Sequence, residues 1–333
     1  RFYADSRVIA YRLPRAEHES ASATPIITTS SGPIDVDLLA DGDFTRSVEI
    51  AAAAEGELPW IQFEYSIPQA IRGVRLGIDG EYPEGARVFE LLASDDGITW
   101  RSEAKLTGPA SAVLKSYGFA TVEARYFRLL LHAPPPSDLS FVGLPPPGPL
   151  AGVMKVGVGE LSLERAGTVD RFAEKAGFTQ PLDYNAMPTM SADADAIVRL
   201  RDVVDVTDRL QPDGTLDWTP PRGRWRIIRF GYSLTGAKNH PAPPEATGLE
   251  VDKLNPAHVQ RYIDRYLDRF EKALGRDLIG RRGLQSLLVD SWEAGAQNWT
   301  ENLPAEFKAR RGYDMTPWLP VLTGRMVESA SES

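Results

Sequence analysis

Residues 284–289 form a mostly apolar run that stops at Asp290 and is followed at once by Trp292, Glu293, Asn298 and Trp299. A short apolar run bounded by polar residues predicts a buried strand. A strand that ends in carboxylates delivers them to the rim of a sheet or barrel, where α/β folds place their chemistry. A helix is predicted just before it: Asn255 can cap it, Pro256 takes its first position and Gly275 follows its end. Val259, Tyr262, Ile263, Tyr266, Leu267, Phe270 and Leu274 recur at helical spacing and predict a core-facing stripe. Residues 304–311 predict a second, short helix closed by Gly312. Helix, strand, helix is the rhythm of a βα architecture, and the expectation is an incomplete (β/α)8 barrel segment.

The first half has a different period. Residues 60–65, 71–76, 88–92, 125–131 and 158–163 predict short strands between Gly, Pro and Asp turns, which is the pattern of a β-sandwich. The Pro/Gly-rich residues 134–152 predict a surface loop, since proline cannot donate to a ladder. Residues 7–11, 203–207 and 225–230 predict further strands. The expected organisation is therefore mixed. Residues 1–20 are a strand and linker of the second unit, 21–165 a sandwich, and 166–333 the partial barrel region, with a β-rich lead-in over 166–250.

At 333 residues the chain is long enough for two domains. Its net charge of −9, without a long basic run, argues against nucleic acid or an anionic membrane as partner. No apolar stretch approaches the ~18 residues that cross a bilayer. Cysteine is absent, which excludes disulfides and thiolate metal sites. No charged and apolar leader opens the chain, which reads as an internal fragment. An acidic, cysteine-free composition fits an exported protein, and an extracytoplasmic place is the expectation; a cytoplasmic one fits the same composition.

Four groups of residues carry a first resemblance. They are Leu39, Asp41, Gly42 and Asp43; Pro59, Trp60 and Ile61; Ser94, Asp95, Asp96, Gly97 and Trp100; and Arg125, Tyr126, Phe127, Arg128 and Leu129. In that order, over roughly 120 residues, they resemble a discoidin-like (galactose-binding-like) sandwich. The resemblance implies a calcium ion at the Asp41 and Asp43 turn; a plain turn is the other reading of the same residues. Such domains commonly bind glycans through their loops.

A second resemblance spans about 130 residues. Its blocks run from Gly214 through Trp218, Gly223 and Trp225 to Gly236; from His240 and Pro244 to Glu250, Asp252 and Lys253; and from Asp290 through Glu293 and Trp299 to Tyr313 and Arg325. They resemble glycoside hydrolase family 106, the α-L-rhamnosidases. The resemblance implies a barrel interrupted by sandwich insertions, release of terminal α-L-rhamnose with inversion, and an active-site calcium whose ligands these blocks do not assign. It also implies a carbohydrate partner and no organic cofactor.

Glycoside hydrolysis needs two carboxyl groups, standing ~6.5–9.5 Å apart in an inverting enzyme and ~5–5.5 Å apart in a retaining one. Glu293 is the expected general acid. Trp292, Ala294 and Gly295 flank it, and apolar neighbours raise a carboxyl pKa toward neutrality, as a proton donor requires. A solvated or ion-paired loop glutamate is the bland alternative. Asp290 is expected to support the site by ordering the loop. Trp292 and Trp299 are candidates to stack on a sugar, with one of them expected in the core. Asn298 either meets a sugar hydroxyl or holds the turn, and it opens an Asn-Trp-Thr sequon. Glu250, Asp252 and Lys253 form a polar cluster before the helix, read either as substrate or metal contacts or as an ion-pair network. His240 is a rim or structural residue. The family's base is expected beyond Ser333, which would leave this chain inactive alone. A non-catalytic carbohydrate-binding module and a retaining exo-glycosidase with an accessory sandwich are the competing readings.

Overall fold

The computed structural model describes residues 2–19, 24–78, 87–108, 114–133, 152–179, 187–240, 242–280, 282–288 and 294–333. The predicted loop at 134–152 lies almost wholly outside them. The described chain is mostly β, with few helices and a curled sheet.

The first half forms a seven-stranded sheet. Its strands are β2 (Ile26–Thr29), β3 (Val48–Ala51), β4 (Trp60–Ile78), β5 (Arg87–Ser94), β6 (Arg101–Thr107), β7 (Leu114–Leu131) and β8 (Lys155–Glu164). The order is β3-β8-β4-β7-β5-β6, with β2 paired to β4, and all pairs are antiparallel. The predicted strands at 60–65 and 71–76 are one long strand. Its register with β7 breaks between Glu64 and Gln69. Pro68 sits in that break, where its missing N–H costs no ladder bond. The break lets the strand bend, so the sheet curls around one apolar core that includes Ile61, Phe63, Val74, Leu76, Phe89, Leu91, Phe127 and Leu129.

Several residues of the first resemblance have a visible physical job here. The Arg128 guanidinium lies between the indoles of Trp60 and Trp100, 4.4 and 4.1 Å from their ring centroids. It also donates twice to Gln62 Oε1. Each such cation–π contact is worth ~0.5–2 kcal/mol. Asp96 accepts from the N–H groups of Ile98 and Thr99 and from the Ser94 hydroxyl, so it shapes the turn before Trp100. Those donors hold its carboxyl far below the usual range.

Beyond its bend, β4 no longer alternates. Residues 71–74 are all buried, because the rest of the chain packs on the outer face. The contact is seated on two glycines. Gly73 and Gly118 are cross-strand partners. A Cβ on Gly118 would stand 2.5 Å from the backbone oxygen of Thr168, and one on Gly73 2.7 Å from the Thr168 hydroxyl. Gly118→Ala is therefore expected to destabilise the protein by about 1–3 kcal/mol through overpacking against backbone, read as a lower urea midpoint at unchanged slope.

Asp170 lies beside this seat, and its carboxylate accepts from the Gly118 N–H at 2.9 Å. Burial pushes its pKa up from 3.8 to about 6, against the opposing pull of that N–H, Lys175 and Arg171. The folded state thus holds the proton more tightly than the unfolded one, and stability falls as pH rises from about 4 to about 6. Asp170→Asn keeps an acceptor for Gly118 and removes the charge. It is expected to stabilise the protein by about 2–3 kcal/mol above pH 7 and to have little effect at pH 4. Thermal melts at both pH values measure this; an equal shift at both would contradict it.

The second half is organised by a three-stranded antiparallel sheet, β10-β1-β9, of β1 (Tyr3–Arg12), β9 (Val203–Asp205) and β10 (Trp225–Ser233). The opening strand thus joins residues two hundred positions away. The helices are α1 (Arg15–Glu19), α2 (Phe172–Lys175), α3 (Pro256–Leu274) and α4 (Leu303–Arg311). As expected, Asn255 caps α3, accepting from the N–H groups of Ala257 and His258. Among the described residues, however, its apolar stripe faces no core. Tyr262 is 57% exposed and Leu274 50%, and the helix has its main packing neighbour in the turn Arg276–Leu278.

The predicted strand at 284–289 is likewise corrected over its described part. Residues 285–288 are in no strand, and Leu288 is 92% exposed. A parallel barrel strand needs ladder partners, and among the described residues this segment has only the isolated bridge between Leu284 and Ile279.

Candidate functional site

Glu293, Asp290 and Trp292 lie outside the described residues. The residues around them are described, and they bring two of the family-like blocks together.

The junction centres on Asp252. Its Oδ1 accepts from the Leu254 N–H at 3.0 Å, a local turn that fixes the carboxylate just before the start of α3. Its Oδ2 accepts from the Thr300 hydroxyl at 2.7 Å, and His258 Nδ1 stands 4.0 Å from the same oxygen. Thr300 is buried. The bond between residues 252 and 300 therefore ties the loop before α3 to the segment that follows Glu293. Glu250 and Lys253, three residues apart in the loop before α3, form an ion pair. With side chains only 20–30% exposed, this cluster is half sheltered.

On the other side of the segment, Asn298 Nδ2 donates to the Ala176 carbonyl at 3.1 Å, just past α2. The Asn298 Cβ presses on Gly177, where an added Cβ would lie 3.2 Å away. Asn298 thus holds a turn, and its amide and the buried Thr300 are both engaged within the chain, which disfavours the sequon. Trp299 packs against the cluster of Ile9, Met315 and Leu319, which is a core role. Its Nε1 is buried with no hydrogen-bond partner among the described residues.

Other expected site residues lie elsewhere. His240 is exposed on a loop that Asn239 closes by accepting from the Gly248 N–H and donating to the Ala246 carbonyl. Asp41 pairs with Arg46 at 2.9 Å and accepts from the Asp43 N–H. Asp43 accepts from the Thr45 N–H and hydroxyl, the hydroxyl bond being the larger cause of its lowered pKa. Calcium takes six to eight oxygens. Among the described residues no three Asp, Glu or His side chains gather for a metal; in this turn both Asp41 oxygens and Asp43 Oδ1 are engaged within the chain.

Sequence reasoning missed Thr300 and His258. The signal for His258 was available, since it falls in the first turn of a helix whose preceding loop carries Asp252. It also missed a buried ionic hub. Arg325 Nη1 stands 3.0 Å from both Glu164 Oε2, at the end of β8, and Glu17 Oε1, on α1. Arg226 on β10 reaches Glu17 at 3.2 Å. Burial alone would raise the Glu164 pKa, but Arg325, Arg75, the Ser162 hydroxyl and Arg226 together outweigh it and the net shift is downward. The hub joins the curled sheet, the three-stranded sheet and the last residues described.

Set against known proteins, the whole chain falls among the glycoside hydrolases. The profile of glycoside hydrolase family 106, described as alpha-L-rhamnosidase, matches residues 1–333, and the chain belongs to that family. A solved rhamnosidase from Novosphingobium sp. PP1Y is similar over 100% of this chain and 29% of its own, at 33% identity and a TM-score of 0.78. A protein of Formosa agariphila named "Putative beta-glucuronidase" is 40% identical over 136 residues, 41% of this chain and 12% of that protein. The chain thus spans under a third of either relative.

Proposed function

We propose that this chain is part of the catalytic region of an inverting exo-α-L-rhamnosidase, acting on rhamnose-containing glycans outside the cytoplasm. Glu293 is the general acid, and a carboxylate outside this chain is the base. The observation that carries the reading is the full-length family match together with the 0.78 TM-score to a rhamnosidase. The Asp252–Thr300 bond adds to it, because it fixes the strip of chain that leads away from Glu293. In this reading Glu250, Asp252 and Lys253 are positioning residues, Asp290 orders the acid's loop and Trp292 covers the apolar side of the sugar. The (β/α)8 barrel belongs to the same proposal, with the apolar stripe of α3 turned toward barrel strands.

Inversion follows if the base activates a water on the face opposite the leaving group. The test is the first anomer released from an aryl α-L-rhamnoside by an enzyme containing this chain, followed by NMR. Appearance of β-L-rhamnose before mutarotation is expected; α-L-rhamnose would mean retention, and no release of rhamnose would remove the substrate assignment. The "Putative beta-glucuronidase" likeness supports a second reading, with a glucuronoside as substrate, and a parallel assay on an aryl β-glucuronide separates the two.

A further inference from the structure

A cleft of about 240 Å³ opens between the start of α1 and the segment 194–202. Drug-sized ligands occupy roughly 300–1,000 Å³, so this space suits a single sugar ring. It lies apart from the Asp252–Thr300 junction, and none of the residues in that junction lines it.

Its lining carries an excess of positive charge. Arg12, Arg15 and Arg199 line it, against Asp195 and Asp202. Three guanidiniums over two carboxylates leave one net positive charge, in a chain whose formal charge is −9. The two walls are pinned together, since the Ala16 N–H donates to the Asp195 carbonyl at 3.0 Å. Arg12 is held by a bond from Nη2 to the Arg222 carbonyl at 3.1 Å, with its guanidinium 5.5 Å from the Trp225 ring centroid. Positioned guanidiniums need little reorganisation to grip an oxyanion. His18 also lines the cleft, and its Nε2 is buried without a hydrogen-bond partner among the described residues. Leu13, Pro14 and Ile197 supply an apolar floor.

We propose that this cleft binds a sugar carrying one negative charge, through a carboxylate or a sulfate ester. The guanidiniums take the anion, Asp195 and Asp202 accept from ring hydroxyls, and the floor covers C–H groups. The single net charge of the walls is what selects a monoanion. The proposal does not depend on which glycosidic bond the enzyme cuts.

The experiment is isothermal titration of the 333-residue chain with D-glucuronate, glucose 6-sulfate and glucose. Low-millimolar binding of one or both anionic sugars is expected, weakening with added salt, and no binding of glucose. If only one anionic sugar binds, that one identifies the group. Arg199 is exposed, so Arg199→Gln should leave the melting temperature unchanged while weakening the anionic sugar about tenfold. Arg12→Gln is the second variant, with the same expected loss. Failure of both anions to bind, equal binding of glucose, or an affinity that neither substitution changes would each overturn the proposal.

Discussion

Glu293→Gln, made in an active enzyme that contains this chain, is expected to lower kcat on rhamnosides with poor leaving groups by about 10²–10⁴-fold. The reason is chemical. An alkoxide leaving from a sugar is a strong base, so the glycosidic oxygen must gain a proton as the bond breaks. Glutamine is close in shape and has no proton to give at that step. The loss should therefore depend on the leaving group. A dinitrophenyl rhamnoside departs as a stable anion and should lose far less than an alkyl or sugar rhamnoside. A residue that merely braced the loop would slow both substrates alike, so the ratio between them decides the role. Equal loss on both would take Glu293 out of acid catalysis while leaving the family membership intact. The acid limb of the pH–rate profile should also survive and the alkaline limb shift, since it is the protonated acid that is needed above neutrality.

Arg325→Leu should be the most destabilising single change, at about 3–5 kcal/mol near neutral pH. Arg325 is only 8% exposed and stands against Glu164, itself 9% exposed. Its removal strands that carboxylate, and weakens the hold on Glu17, in a place water does not reach. Pairing holds the Glu164 pKa down in the native protein. A group with a lowered folded pKa contributes stability above its unfolded pKa and loses it as pH falls. Without Arg325 the burial effect is opposed only by Arg75, the Ser162 hydroxyl and Arg226, and Glu164 is expected to keep its proton to a higher pH than in the parent. The deficit of the variant should then shrink steadily as pH is lowered through the carboxylate range. Urea titrations at pH 8 and pH 4.5 measure this directly, and a constant deficit would show that lost packing, not stranded charge, is the cause. Removing the exposed Arg101, which pairs with Asp95 and Glu103, is the control; such surface pairs contribute about 0–1 kcal/mol.

The two experiments probe different levels of the molecule. The first asks about a proton at a reacting oxygen. The second asks how the curled sheet is kept in register with the three-stranded sheet, on which residues 203–233 and the Trp299 segment are built.

Much of the local structure was legible in the sequence because it depends on neighbours along the chain. The cap at Asn255, the turn at Asp96 and the alternation of β4 before its bend all follow from residues within a few positions of one another. The apolar stripe of α3 was read correctly as a stripe. Its burial was not, because burial requires a partner surface that spacing alone does not specify. The run at 284–288 failed for the same reason: hydrophobicity proposes a strand, but only neighbouring strands supply its hydrogen bonds. In the candidate site, Asp252 was legible as a polar residue before a helix. Its bond to Thr300 was not, because no periodicity links positions 48 apart.

By itself, then, the sequence determined most of the strands and helices, with the run at 284–288 the exception, the turn chemistry and the family to which the chain belongs. The tertiary structure alone decided that Gly73 and Gly118 form a seat, that Arg325 and Glu164 neutralise each other, and that Asp252 reaches Thr300. Those three contacts are set by the distance between backbones brought together from far along the chain. Such distances emerge only when the cores have closed.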